Sequence, residues 1–334
     1  MNRFAIARAA SYDEASSLLT GNTHSLPVLK AAGMDVVDHL KEGLIEPDLL
    51  VDILGAEGGP PAPIQEHRDG DTSTIRLSAL TTLAQIAQST LLNGRFPGLA
   101  QAADSAATPQ VRNVATTAGN LLQRPRCWYY RNREFDCLKK GGDRCYAVAG
   151  LNKYHAVFPS GPCHIVHPSN LAPALIAGDA IIHLTGAKRA TMPIADLFHT
   201  PDRGVTSEHT LAPGEVITAI SCRARPHSAF YAIKEKQSFD WPLVMACVAL
   251  DLNGDRIASP RVVGGAVASV PLDLPHVAEA LSGLETSDAE AIAGACELAS
   301  RGAVPMSDNA YKLRLLPVAV RRAVHRALGQ EDDS

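Results

Sequence analysis

With 334 residues the chain has room for about two domains, and 46% hydrophobic with 20% charged residues is a globular composition that excludes disorder, coiled coil and collagen as global descriptions. Thirty-one basic and 35 acidic side chains leave a net charge of -4, which excludes a globally basic nucleic-acid coat but not a local basic patch. The longest apolar run, residues 243–250, is far short of the roughly 18 to 20 residues of a membrane span.

Residues 11–19 read as a capped helix, with Ser11 at the N-cap, Glu14 three positions on and Ala15, Leu18 and Leu19 as the apolar face. Residues 26–30 read as a short strand that runs through a small-residue loop into a helix carrying Val36, Val37 and Leu40, and residues 49–53 as another strand. The Gly- and Pro-rich stretch 55–74 reads as a turn-rich connection or hairpin. Residues 74–78 are strand-like, Ser78 or Thr81 is expected to cap a helix through Leu83, Ile86 and Ala87, and a further helix is expected over 98–107. Residues 123–167 have little periodicity. A helix at 172–177 and a strand at 180–184 lead into a loop-rich tail to about Arg225, after which a long apolar element at 242–252, a strand at 261–267 and three helical patterns (276–284, 287–301, 309–328) suggest a separate smaller α+β domain. The boundary is expected near 223–229.

Four of the seven cysteines, Cys127, Cys137, Cys145 and Cys163, fall within 37 residues. Four thiolates suit tetrahedral zinc or an iron–sulfur cluster. The absence of a close Cys-x2-Cys pair and the wide, irregular spacing favour the bulkier cluster, with zinc, or unligated or disulfide-paired thiols, as the alternatives. Arg124, Arg126, Arg131, Arg133, Lys139, Lys140 and Arg144 lie in the same stretch with Trp128, Tyr129 and Tyr130. Glu134, Asp136 and Asp143 dilute that charge, so a nucleic-acid reader is disfavoured against a solvated face or a counter-charge for a thiolate cluster.

Two small-residue loops stand out. Ala31, Ala32, Gly33, Met34, Asp35 and Val36 follow a strand and open a helix, a place where backbone N–H groups receive anions such as pyrophosphate. Residues 111–120, Val-Arg-Asn-Val-Ala-Thr-Thr-Ala-Gly-Asn, offer the side chains of Thr116, Thr117 and Asn120, with close backbone approach at Ala118 and Gly119. Neither is the Gly-x-Gly-x-x-Gly fingerprint or a P-loop, which disfavours a nicotinamide-type Rossmann domain.

These pieces, in this order, resemble the FAD-binding medium subunit of the molybdenum hydroxylases, the xanthine dehydrogenase and aldehyde oxidoreductase family. Residues 31–36 resemble the family's first FAD loop, Ala-Gly-Gly-Thr-Asx-Leu. Residues 111–120 resemble the second, Ile-Arg-Asn-x-Ala-Thr-x-Gly-Gly-Asn. Further matches are residues 168–175 with Asp179 and Ala180, residues 211–215, and Gly264 with Gly265. A cysteine insertion directly after Gly119 and Asn120 resembles the medium subunits of periplasmic aldehyde oxidoreductase and of 4-hydroxybenzoyl-CoA reductase, and implies an extra [4Fe–4S] cluster on Cys127, Cys137, Cys145 and Cys163. Cys222, Cys247 and Cys296 are expected to be packing residues. Three positions depart from the pattern: Ala32 stands for Gly, Met34 for Thr, and Asn170 for Asp. A positive φ at position 32 would cost alanine about 1 kcal/mol.

The resemblance implies an α+β fold: a two-part FAD-binding domain over 1–223 of the vanillyl-alcohol oxidase / p-cresol methylhydroxylase type (subdomains 1–54 and 74–223, with the iron–sulfur insertion at 123–167). A small antiparallel-sheet and helix domain over 228–330, like the CO dehydrogenase flavoprotein C-terminal domain, would follow. It implies FAD held by residues 31–36, Val111, Thr116, Thr117, Gly119 and Asn120, with Asp179 near the ribityl or adenosine part, Lys234 reaching the flavin ring, and no catalytic residue on this chain. His167, beside that region, is expected to be structural. Electrons would come from a small [2Fe–2S] subunit and leave for an external acceptor, while a large molybdopterin subunit oxidises the substrate. The alternatives are a 4-hydroxybenzoyl-CoA reductase-like medium subunit and a zinc-stapled scaffold that has lost FAD. The N-terminus lacks the apolar core of a secretory signal. The chain is therefore expected to be cytoplasmic, or periplasmic if exported with a signal-bearing partner.

Overall fold

The structure, a computed structural model, describes residues 3–59, 62–69, 72–186, 189–236 and 239–330. The chain opens with a three-stranded parallel sheet in which Leu49–Asp52 lies between Ala5–Arg8 and Pro27–Lys30. Parallel neighbours need crossovers, and the helices Tyr12–Thr20 and Val36–Glu42 supply them. The first starts where its side chains satisfy orphan amides: Ser11 Oγ accepts from Glu14 N at 3.1 Å, and Glu14 Oε2 accepts from Ala10 N at 2.7 Å. Its buried face, Tyr12 and Ala15, packs on Leu49, Val51 and Val216. The second stops at Gly43, whose φ of +68° is the left-handed conformation that ends helices.

A five-stranded antiparallel sheet follows, in the order Ile64–Asp69, Thr72–Ser78, Val216–Arg223, Ile181–Thr185, Thr191–Pro193. Helices Leu83–Gln88, Pro97–Asp104 and Leu171–Ala177 share its core with Ile75, Leu77 and Ile220. Three local readings of the sequence change here. The loop-rich tail to Arg225 contains the central strand Val216–Arg223; both of its faces are covered, so it lacks a clean alternation. The cap of Leu83–Gln88 is Thr82, whose Oγ1 accepts from Gln85 N at 3.2 Å while Gln85 Oε1 accepts from Thr82 N at 2.8 Å; Thr81 instead donates its hydroxyl to Pro63 O. The helix expected over 98–107 is Pro97–Asp104, preceded by a separate turn of helix Thr90–Arg95. Pro97 at its first position restarts the helix, and Ala107 already sits at φ +45°.

The C-terminal part is a four-stranded antiparallel sheet, Leu272–Asp273, Arg261–Gly265, Pro242–Leu250, His227–Lys234. Strand alternation divides Pro242–Leu250 between two cores. Val244, Ala246 and Val248 pack with Leu316, Val320 and Val324 of the helix Lys312–Ala327. Met245 and Cys247 pack with Leu99 and Leu175 of the preceding part. Arg225 stands at the junction: its N–H donates to Arg95 O at 2.7 Å and its buried guanidinium reaches Asp179 at 2.6 Å and Asp251 at 3.1 Å.

Residues 123–167 cross the surface with two short helical turns, Trp128–Arg131 and Leu138–Lys140. Both ends of the molecule hold this segment. Asn152 Nδ2 donates to Ser307 Oγ at 2.8 Å, and Asn309 Nδ2 donates to the carbonyls of His155 and Ala156. The buried Lys139 pairs with the buried Glu208.

Candidate functional site

The strand Pro27–Lys30 delivers the first small-residue loop. Its left-handed turn falls on Gly33, at φ +83°, and not on Ala32. The alanine at 32 is therefore unstrained and the departure from the family's glycine costs nothing there. Among the described residues, the backbone N–H groups of 31–36 have no acceptor within the protein, whereas the carbonyls of Gly33 and Asp35 receive Val37 N and His39 N. Met34 is exposed.

The second loop is tied into the fold by its own hydrogen bonds. Thr116 caps the helix Thr117–Leu121, with Oγ1 accepting from Gly119 N at 3.2 Å. A Cβ on Gly119 would lie 2.8 Å from that oxygen, so a side chain there displaces the cap. Thr117 donates its hydroxyl to Thr81 O at 2.8 Å, and the amides of Thr117 and Ala118 donate to Thr81 O and Ala79 O. Asn120 Oδ1 accepts from Ser169 Oγ at 2.6 Å and from Leu171 N at 3.3 Å. Thr116 Oγ1 therefore caps its own helix, while the Thr117 hydroxyl and Asn120 Oδ1 tie the loop to residues 79–81 and 169–171. Leu80, between the two acceptor residues, packs on the same cluster as Ala31 of the first loop. Val111 is half-buried, its N–H held by Thr108 Oγ1 at 3.3 Å. Among the described residues, the buried Asn170 Nδ2 is a donor without a protein partner, at the position where the family pattern has Asp. An orphaned amide donor beside Ser169, and a run of unengaged amides at 31–36, fit a polyanionic, hydrogen-bond-accepting ligand such as FAD.

The Asp35 carboxylate is engaged within the protein. Its Oδ2 accepts from Arg124 N at 2.8 Å, and its Oδ1 from Arg131 Nη2 at 2.8 Å with Arg126 Nη2 at 3.0 Å. Burial alone would raise its pKa, but Arg126, the Arg124 amide and Arg131 outweigh it and hold the carboxyl below the ordinary range. Asp179 occupies a left-handed turn, φ +49°, and its carboxylate is taken by Arg225. It shapes the turn before the strand Ile181–Thr185. Lys234 Nζ donates to Ser105 O at 2.6 Å, and burial lowers its pKa. It lines a cavity of about 490 Å³ with Ser105, Ala107, Arg112, Tyr231 and Phe239, a cavity that residues 31–36 and 116–120 do not line. His167 is buried, held neutral by desolvation with its pKa down to about 4, and packs edge-on to Phe198 at 4.6 Å.

The four clustered cysteines influence one another's charge. The Cys163 thiol donates to Cys145, which favours the thiolate at Cys145. Burial pushes the Cys127 thiol up to about 11, and Cys145 and Cys137 are near enough to add to that rise. Cys127 Sγ also lies 3.3 Å from His155 Nε2. The buried Lys139 sits close enough to favour a negative charge at Cys163. Tyr129, Phe135, Tyr146, Trp128 and His155 form a ring cluster that reaches Cys127 through His155. Yet among the described residues no three His, Cys, Asp or Glu side chains come together closely enough to hold a single metal ion. Cys222, Cys247 and Cys296 are buried in the apolar clusters.

The FAD binding domain in molybdopterin dehydrogenase matches residues 2–222, and the CO dehydrogenase flavoprotein C-terminal domain matches residues 228–327. The chain therefore belongs to the FAD-binding medium subunits of the molybdenum hydroxylase family, and it is an oxidoreductase subunit. It is 29% identical over 294 residues to the aldehyde oxidoreductase FAD-binding subunit PaoB of Escherichia coli, covering 85% of this chain and 86% of that one. It is 25% identical over 327 residues to the carbon monoxide dehydrogenase medium chain of Afipia carboxidovorans, covering 96% and 95%. In fold it resembles reconstituted CO dehydrogenase from Oligotropha carboxidovorans (TM-score 0.73, 22% identity, 99% of both chains) and quinoline 2-oxidoreductase from Pseudomonas putida (TM-score 0.71, 18% identity, 98% of both chains). The expected α+β order, a FAD-binding domain followed by a small C-terminal domain, stands. The matched domain names FAD and no iron–sulfur cluster. Among the described residues no helix is long and apolar enough to cross a membrane.

What sequence reasoning missed is the set of partners of Asp35. Arg124, Arg126 and Arg131 lie 89 to 96 positions away along the chain, and only the density of arginines around Cys127 hinted that they had something to neutralise.

Proposed function

We propose that this chain is the electron-transferring FAD subunit of a molybdenum hydroxylase complex of the aldehyde oxidoreductase type. It would take electrons from a small [2Fe–2S] subunit, pass them to an external acceptor, and leave substrate oxidation to a large molybdopterin subunit. The observation that carries this reading is the match to a FAD-binding domain over residues 2–222, together with the unengaged amides at 31–36 and the unpaired Asn170 donor that suit its cofactor. FAD, when bound, takes up single electrons and releases them singly or in pairs.

The chain's own residues hold and orient. Amides 31–36, at the start of the helix Val36–Glu42, would receive the diphosphate, where N–H groups and the helix dipole both favour negative charge. Residues 116–120 keep the neighbouring backbone fixed through their bonds to 79–81 and 169–171, and Asn170 Nδ2 would donate to a cofactor acceptor. Lys234 sits at a cavity with Phe239 and Tyr231, a half-buried cation suited to a negatively charged ring edge. Cys127, Cys137, Cys145 and Cys163 would hold a [4Fe–4S] cluster. Four thiols within one 37-residue segment and the charge of Lys139 beside Cys163 suit a cluster of larger span than one ion.

FAD titration of the purified full-length chain tests the reading. The expected result is one FAD per chain with binding lost in a Gly33→Val, Asn170→Ala double variant. A chain that folds and binds no FAD overturns it.

A further inference from the structure

We infer that Asp35 is a positioning residue that couples the flavin loop to the cysteine segment, so that FAD occupancy and the order of residues 124–140 are thermodynamically linked. The inference rests on the reading that residues 31–36 receive FAD.

Asp35 lies within that loop in sequence, yet its carboxylate is committed to the other side. It holds the Arg124 amide and the Arg126 and Arg131 guanidiniums at 2.8 to 3.0 Å. The acids that follow it on the helix Val36–Glu42 repeat the contact. Asp38 meets Arg126 at 3.5 Å and Glu42 meets Arg131 at 3.3 Å. Residues spaced by three and seven share a helix face, so one face of this two-turn helix is acidic and gripped by the two arginines that bracket Cys127. Arg124 continues the chain of contacts to Glu208 at 3.0 Å, and Glu208 also takes Lys139, two residues beyond Cys137. Four cations thus meet four carboxylates, and a charge-assisted network of this kind has geometric specificity beyond its pairwise energies. Arg126 also lies over the Trp241 ring at 4.8 Å, which draws the segment after Lys234 into the same assembly.

The mechanical link is short. Val37 N donates to Gly33 O and His39 N to Asp35 O, so the loop and helix move together. Whatever orders 124–131 fixes the amides of 31–36, and linkage makes the effect reciprocal.

The test uses the full-length chain, FAD as the probe, and two readouts: FAD affinity from flavin fluorescence, and hydrogen exchange over residues 124–140 with and without FAD. In the wild type, FAD slows exchange there by about fivefold or more. Asp35→Asn raises the FAD dissociation constant about tenfold and abolishes that protection, while Asp35→Glu restores part of both. Arg126→Gln, outside the flavin loop, weakens FAD several-fold and blunts the same protection. Protection in Asp35→Asn equal to wild type overturns the inference, even if affinity falls, because a direct ligand contact would produce that pattern. Unchanged FAD affinity in Arg126→Gln also overturns it. A wild-type chain that binds no FAD refutes the flavin reading, a different failure from either of these.

Discussion

Replacing Glu208 with glutamine removes one charge from a buried ion network. Its side chain is 7% exposed, Lys139 beside it is 2% exposed, and Arg124 approaches at 3.0 Å. Burial alone would lift the Glu208 pKa, but Arg124 and Lys139 overcome it and hold the carboxyl below its ordinary value of 4.5. Breaking a buried pair by removing one partner strands the other charge and costs about 3–5 kcal/mol. Glutamine keeps an acceptor oxygen, so a loss near the lower end, about 3 kcal/mol, is expected, or roughly 6–12 °C in Tm for a chain built of domains this size. Urea unfolding followed by tryptophan emission measures it, with Glu285→Gln as control. That pair, Arg256 with Glu285, is more than half exposed and should change stability by less than about 0.5 kcal/mol. The network also predicts a pH signature. A carboxyl depressed on folding contributes stability that is present above its unfolded pKa and lost as pH falls through the lower folded value. Glu208→Gln should flatten that acid limb. Equal destabilisation by the two substitutions, or an unaltered acid limb, refutes the reasoning.

Lys312 is buried, its Nζ donating to Ala266 O at 2.7 Å, and burial brings its pKa down to about 7 from 10.5. Between those values the unfolded chain binds more protons than the folded one, so stability should rise with pH from about 7 upward, and Lys312→Met should remove that slope in pH-dependent denaturation. Asn170→Ala should leave the stability of the FAD-free chain nearly unchanged, since its amide donor has no protein partner. It should weaken FAD about 2- to 12-fold, the worth of one hydrogen bond. Gly33→Ala forces a side chain into the left-handed region at φ +83°, costing about 1 kcal/mol; FAD titration should show the loss, whereas Ala32→Gly should gain little.

The parts of this fold written in local sequence were readable from it. Ser11 with Glu14, and the strand–loop–helix around Gly33, carry their own signals because caps and turns are settled within a few residues. The strand Val216–Arg223 was not readable, since it is covered on both faces and its burial follows no simple alternation. The expected cap, Ser78 or Thr81, missed Thr82 next along the chain, because residue type does not show that the Thr81 hydroxyl is spent on Pro63 O. At the site, the motif at 116–120 was legible but the use of its side chains was not. Thr117 and Asn120 satisfy backbone and side-chain groups 36 to 51 residues away, and residue type cannot tell a structural hydrogen bond from a ligand contact. Asp35 shows the same limit more sharply, because its arginines become neighbours only where the cysteine segment lies against the helix Val36–Glu42.

The most direct measurement is a joint assay of flavin, iron and acid-labile sulfide, with an absorption spectrum, on full-length protein purified without oxygen. The account predicts about one FAD with about four irons and four sulfides per chain. A folded chain that carries zinc without iron and takes up no FAD would contradict it.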